Sequence, residues 1–457
     1  QKYLLPALYD MEEKNVLPKD VLILGIARRD LSSDQLKSYL DRVLKADNLH
    51  HKHAIKKDIL ERLHKKFKYL AGDISENNIY ESINSLVNHK NKIFYLAIYP
   101  DLYSKVLSQL QKNNLNQEEN GFVRLMVEKP IGNNLESSKK INELLKKYFK
   151  EEQIYRLDHY LGKETLQNIL TFRFGNGVFE PLINSQYIDH IQINASEDFG
   201  IGKRGGYYDS VGALIDVGQN HLLQMIAFAT MDAPSEFSNQ AVTEERIKIL
   251  RNLIPYPEKI IYGQYEGYKK EENVDPNSNI ETFFAFKTVI KNSRFSNIPI
   301  YVKGGKKLDR TVTEISIVFK NPENRLFKHL QSGNEPNVLI YRIQPNEGIV
   351  LRFLAKKAGS VDLEPEYMQY CYPQGLGKHY LPDPYERLLM DAVAGDQTFF
   401  SDAEEVEAEW AFIDALSKNP RKPIIYKGGS KGPKEADELI EADGREWLEP
   451  SMDFCRI

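Results

Sequence analysis

The first third of the chain carries short apolar runs set among longer amphipathic stretches. VLILGIA (Val21 to Ala27), KIFYLAIY (Lys92 to Tyr99) and FVRLMVEKP (Phe122 to Pro130) are almost continuously apolar over a strand's length. That is the pattern of strands covered on both faces. Between them apolar positions recur at helical spacing, as in Ser32 to Leu44 and Leu135 to Tyr148. Strand, helix, strand at this rhythm predicts a parallel sheet with helices on its faces. The opening QKYLLPALYD reads as the helix that would follow a glycine-rich phosphate loop. In such folds the first strand lies in mid-sheet. The expectation is therefore that a short piece carrying that strand and loop precedes Gln1.

Beyond residue 157 the pattern changes to two-residue alternation. YIDHIQIN (Tyr187 to Asn194), ETFFAFKTVI (Glu281 to Ile290), TEISIVFK (Thr313 to Lys320), VLIYRI (Val338 to Ile343) and IVLRFL (Ile349 to Leu354) read as strands with one buried face. PNEG (Pro345 to Gly348) is a turn between the last two, and Ser210 to Met231 and Ala403 to Leu416 read as helices. The expected organisation is a Rossmann-like coenzyme domain over residues 1–157, lacking its first strand. It is followed over 158–457 by a β+α domain with a large, mostly antiparallel sheet. Small ligands usually bind where such domains meet.

Composition narrows the possible functions. The chain of 457 residues has a formal net charge of −4 and 41% hydrophobic residues. A near-balanced charge argues against a nucleic-acid coat. No apolar run approaches the ~20 residues of a membrane span, and no signal peptide opens the chain. The two cysteines, Cys371 and Cys455, form no CxxC or zinc pattern and are expected as unpaired thiols in a reducing compartment. The histidines of LHHKHAIKKD (His50, His51, His53) lack a suitably spaced carboxylate or cysteine, so no metal site is expected there. The reading is a soluble cytoplasmic protein.

Several segments carry chemistry. After VLILGIA come Arg28 and Arg29, with no acid until Asp30. An arginine at that strand end suits the 2′-phosphate of NADP, whereas an acid would suit NAD. EKPIG would aim Lys129 from a strand end, across a Lys-Pro bond that can be cis or trans. DVGQNHLLQM places Asp216 and His221 on one helix, and α-helical geometry sets residues five apart roughly 140° around the axis. Glu197 directly follows a strand. YVKGGKKLDR gathers Lys303, Lys306, Lys307 and Arg310 around two glycines, a cluster suited to phosphate. RLDHYLGKE packs Asp158, His159, Tyr160 and Lys163 into nine residues.

Together these motifs resemble the glucose-6-phosphate dehydrogenase family. RLDHYLGKE, EKPIG, RGGYYD, DVGQNHLLQ, RIQPNEG, LPDPYERL and GDQTFF occur in its order and spacing, from YLLPALY to GPKEADEL. The resemblance implies NADP-linked oxidation of glucose 6-phosphate to 6-phosphogluconolactone, the first step of the oxidative pentose phosphate pathway, by a homodimer or homotetramer. It implies His221 as catalytic base and Asp158 as the carboxylate that orients it. His159, Tyr160 and Lys163 would bind the substrate phosphate, Glu197 and Asp216 the sugar hydroxyls, and Lys306 would be a substrate-binding lysine. Lys129 would touch substrate and coenzyme, and Arg28 and Tyr103 the coenzyme; no metal is implied. The chain departs from the family in lacking the GxxGDL coenzyme motif. It also has Thr311 where the family usually has Lys or Arg, with Arg310 next door to compensate. The alternatives are a related dehydrogenase using another sugar or NAD, and a catalytically silent relative.

Overall fold

The apolar runs of the first third form strands because each can be covered by the amphipathic helix beside it. The computed structural model describes all residues except 1, 2, 47–54, 88, 323–325, 328, 329, 331–334, 373–380, 420, 452, 456 and 457. The described residues divide into two compact units. The first comprises residues 1–132, 139–162 and 382–403; the second comprises 133–138, 163–381 and 404–457. The histidine run at 50–53 lies outside the described residues.

In the first unit the order is α1 (Leu4–Glu13), β1 (Ile23–Ala27), α2 (Ser33–Ala46), α3 (Lys57–Lys66), β2 (Phe67–Ala71), α4 (Asn77–Leu86), β3 (Lys92–Leu96), α5 (Tyr103–Lys112), β4 (Val123–Val127), α6 (Leu135–Tyr148) and β5 (Ile154–Arg156). Helix α6 starts in the residues grouped with the second unit. All strand pairs are parallel, β1 with β2, and β3 with β4 with β5. They form two sheets rather than one, and among the described residues β1 and β3 each pair on one edge only. The apolar β1 is correspondingly only half-buried, whereas β4 is largely buried.

The second unit holds α7 (Glu164–Phe174), β6 (Ile188–Ser196), α8 (Gly205–Ala213), a π-helix (Leu214–Leu222), α9 (Leu223–Thr230), α10 (Asn239–Arg251), β7 (Ile260–Tyr265), β8 (Phe283–Thr288), β9 (Ile300–Gly305), β10 (Val312–Phe319), β11 (Val338–Gln344), β12 (Gly348–Lys356) and β13 (Leu363–Cys371). The chain then returns to the first unit with α11 (Pro384–Ala394). It ends in the second with α12 (Ala403–Leu416), β14 (Ile424–Tyr426) and α13 (Glu435–Glu441). The nine strands follow the order β13-β12-β11-β10-β6-β9-β8-β7-β14. The pairing is antiparallel apart from β6 with β9 and β14 with β7.

Two expectations are corrected here. The helix expected over Ser210 to Met231 is broken at Gly212, with φ 74° and ψ 171°, and continues as the π-helix. The cysteines expected as free thiols form a disulfide, Cys371–Cys455. The tail runs back over the sheet, where Phe454 packs with Val318, Val338, Ile340 and Val350. That route brings Cys455 to the end of β13, and sequence spacing carries no record of it.

Candidate active site

The parallel strands of the first unit set their carboxyl ends side by side. Leu96 pairs with Val127, and Val127 with Arg156. The residues that follow these ends, among them Lys129 and Asp158, therefore leave the sheet at one edge, where ligands of open parallel sheets bind. The Lys129-Pro130 bond is cis, and Lys129 is half-buried. Next to it the Glu128 carboxylate accepts a hydrogen bond from the Tyr95 hydroxyl.

Asp158 is buried. Its Oδ1 accepts the Tyr160 N–H at 2.8 Å, and its carbonyl accepts the Leu161 N–H at 3.0 Å. These bonds close a tight turn that presents His159 half-buried beside a buried Tyr160. The imidazole of His159 stacks on Tyr385 at 6.3 Å, and Tyr385 stacks in turn on Tyr3 at 5.4 Å. Gly162 ends the turn where only glycine fits, since a Cβ would lie 2.6 Å from the Pro384 carbonyl oxygen.

The coenzyme residues expected from the sequence sit at strand ends of this same unit. Arg28 is exposed just past β1. Tyr103 opens α5 and is buried, and its hydroxyl makes no hydrogen bond among the described residues. Burial and the Glu128 carboxylate raise its pKa, so it remains a neutral donor. A buried hydroxyl without a partner among the described residues and an exposed arginine at the end of β1 fit a phosphorylated dinucleotide.

The second unit builds its cluster from two parallel strand ends. Ser196 of β6 pairs with Gly305 of β9, so the next residues, Glu197 and Lys306, emerge together and form an ion pair. Lys306 is buried, and its ammonium lies 5.3 Å from the rings of both Phe199 and Tyr208. Aromatic faces are favourable neighbours for a cation kept from water.

Asp216 and His221 lie on the π-helix. Its hydrogen bonds join residues five apart. The two side chains are therefore one turn apart rather than the 140° expected of an α-helix. His221 is buried. Asp216 receives the Tyr207 hydroxyl and the Arg204 guanidinium, each at 3.4 Å. Burial, followed by the Asp216 carboxylate, pushes Tyr207 up to about 12. Behind the helix Gln219 and Gln224 donate to Glu409 at 3.2 and 2.7 Å, and Glu405 pairs with Arg246 at 2.9 Å.

Lys163 stands just before α7, with its ammonium 3.8 Å from Glu347, whose other oxygen accepts the Thr165 N–H and hydroxyl. The expected lysine cluster disperses. Lys306 meets Glu197 and Lys307 meets Glu271, while Lys303 lies over the Trp447 ring at 4.3 Å. The Arg310 guanidinium donates to the Asp309 carboxylate and to the Pro450 carbonyl. Thr311 bonds Asp198. Sequence reasoning passed over Arg204, Tyr207 and Glu347. All three sit inside quoted motifs, RGGYYD and RIQPNEG, but their contacts come from loops and a strand turn that periodicity does not describe.

Parallel strands of the coenzyme-binding type, joined in one chain to a large sheet with an acid-lysine pair and a histidine-bearing π-helix, are what a nicotinamide-dependent dehydrogenase would need. Residues 1–168 match the glucose-6-phosphate dehydrogenase NAD binding domain, and residues 170–448 match the C-terminal domain of the same family. The chain belongs to the glucose-6-phosphate dehydrogenase family. It is 39% identical to the glucose-6-phosphate 1-dehydrogenase of Chlamydia muridarum over 97% of this chain and 93% of that one. The crystal structure of the Mycobacterium avium enzyme superposes with a TM-score of 0.87 at 30% identity, covering 99% of this chain and 96% of that one. A structure of glucose-6-phosphate dehydrogenase in complex with glucose 6-phosphate gives the same TM-score, 0.87, at 31% identity over 98% and 96%.

Proposed function

We propose that this chain oxidises glucose 6-phosphate to 6-phosphogluconolactone with NADP, as the first step of the oxidative pentose phosphate pathway. The observation that carries the reading is the family match along both halves of the chain. His221 removes the proton from the anomeric hydroxyl; a neutral imidazole is a suitable base near pH 7. Asp158 is the carboxylate that orients it. Glu197 and Asp216 hold the sugar hydroxyls, Lys306 is a further substrate-binding lysine, and His159, Tyr160 and Lys163 bind the phosphate. Remote phosphate binding fixes the sugar for reaction at its far end. Arg28, Tyr103 and Lys129 hold the coenzyme. NADP, when bound, supplies the hydride acceptor.

The proposed domains are residues 1–157 for coenzyme and 158–457 for substrate and assembly. No described helix is long and apolar enough to cross a membrane. We assign the protein to the cytoplasm, where its charged metabolites would be retained. We also assign it a homodimeric or homotetrameric state, which fits β13 exposing Tyr367, Met368 and Tyr370 at a sheet edge. The test is reduction of NADP with glucose 6-phosphate, followed by absorbance, against NAD and against free glucose. Preference for the phosphorylated sugar and NADP supports the reading. NADP binding without turnover would identify a silent relative.

A further inference from the structure

The π-helix starts at a break that one distant residue repairs. At Gly212 the backbone turns out of the helix with φ 74°, a conformation glycine adopts readily. The amides just after such a break have no carbonyls from a preceding turn to bond. Glu281 answers two of them. Its main-chain carbonyl accepts the Ala213 N–H at 3.1 Å, and its Oε1 accepts the Leu214 N–H at 3.0 Å. The fit is close, since a Cβ on Gly212 would come within 2.4 Å of Glu281 Oε1.

The next residue, Thr282, reaches the other half of the cluster. Its carbonyl accepts the Lys306 N–H at 2.9 Å, and its hydroxyl accepts the Tyr265 N–H at 2.9 Å. Two consecutive residues thus tie the start of the helix bearing Asp216 and His221 to the strand end bearing Lys306.

We propose that Glu281 is a positioning residue for the dehydrogenase reaction, setting the register of the π-helix against the strand end that carries Lys306. The inference rests on the reading of Asp216, His221 and Lys306 as substrate-contacting groups. The role needs an acceptor rather than a charge. Burial pushes the Glu281 carboxyl up to about 7, so near neutrality both its protonated and ionised forms are present. Either form can accept the Leu214 amide, and so can a glutamine.

The experiment compares E281A, E281Q and G212A in the full chain, with H221N alongside. It reads kcat and KM at a temperature where circular dichroism shows each variant folded. It also reads backbone hydrogen exchange over residues 212–222. The expected result is a fall in kcat of about 10²-fold in E281A, the order that misplacing a reacting group produces, with faster exchange at Leu214, whose amide loses its side-chain acceptor. E281Q should keep most of the turnover and the slow exchange. G212A, which crowds the carboxylate from the other side, should resemble E281A and replaces it should E281A not fold. Wild-type turnover and exchange in E281A, or an E281Q as impaired as E281A, would overturn the proposal. Undiminished turnover in H221N would instead remove His221 as the base, leaving the exchange result on Glu281 to be judged separately.

Discussion

Lys306 and Lys163 bring positive charge to largely buried positions, each against a carboxylate. Glu347, in the turn between β11 and β12, lies 3.8 Å from the Lys163 ammonium. Loss of a charge-assisted bond to phosphate is worth about 1.5–3 kcal/mol. K163A should therefore raise KM for glucose 6-phosphate by about 10- to 100-fold, with a smaller effect on KM for NADP; steady-state titration of each substrate checks this. H221N should behave in the opposite way. General-base catalysis contributes about 10²–10⁴-fold, so kcat should fall by that order while glucose 6-phosphate still binds in equilibrium dialysis. Substrate binding lost in step with turnover would show that His221 holds the sugar rather than its proton.

Among the elements, the π-helix depends on the buried polar row behind it as well as on Glu281. Arg246 and Glu405 are both fully buried and paired. Removing one member of such a pair costs about 3–5 kcal/mol because the other charge is left uncompensated. E405A should lower the urea midpoint accordingly, more than S238A, which removes only the cap accepting the Ala241 N–H and costs about 1 kcal/mol. The elements that the sequence revealed are those whose pattern is simple. β1, β3, β4, β6, β8, β10, β11 and β12 follow apolar runs or alternation, and α6 and α12 carry helical spacing along their length. Three of the missed strands break those rules for physical reasons. β9 (IYVKGG) ends in a lysine and two glycines because it leads into the site. β13 (LEPEYMQYC) is an edge strand that tolerates proline and charge. β2 (FKYLA) follows α3 without a turn signal. The candidate site was legible as motifs, since Glu197, Lys306, Asp216 and His221 each stand in one. The π geometry was not, because it begins at the Gly212 break, which a residue distant in sequence, Glu281, holds. Nor was the fate of Arg310, which depends on where a distant tail runs.

For the molecule as a whole, the tail after α13 is a structural strap. It is held by the Cys371–Cys455 disulfide, by Arg310 and Arg342 bonding the Pro450 and Ser451 carbonyls, and by Trp447 over Lys303. A crosslink closing a loop of this length is worth about 2–5 kcal/mol. C455S should lower stability by that amount, and reductant should have no further effect on it. Burial lowers the Lys303 pKa from 10.5 to about 8. Between those values the unfolded chain binds more protons than the folded one, so this residue makes stability rise with pH from about 8 to 10.5 and contributes no slope below. Denaturant unfolding across that window should show the rise in the wild type and lose that part of it in K303M. The return of residues 382–403 to the first unit has a further consequence. Lys14 pairs with Glu386, and Arg124 donates to the carbonyls of Ala392 and Val393 at the end of α11. On a ribosome, the first unit cannot be completed when its own early residues emerge. It must wait for α11, roughly 240 residues after β5, or on the order of 10–50 s at 5–20 residues per second. During that interval the surfaces that α11 covers, on α1 and around Arg124, are exposed on the nascent chain.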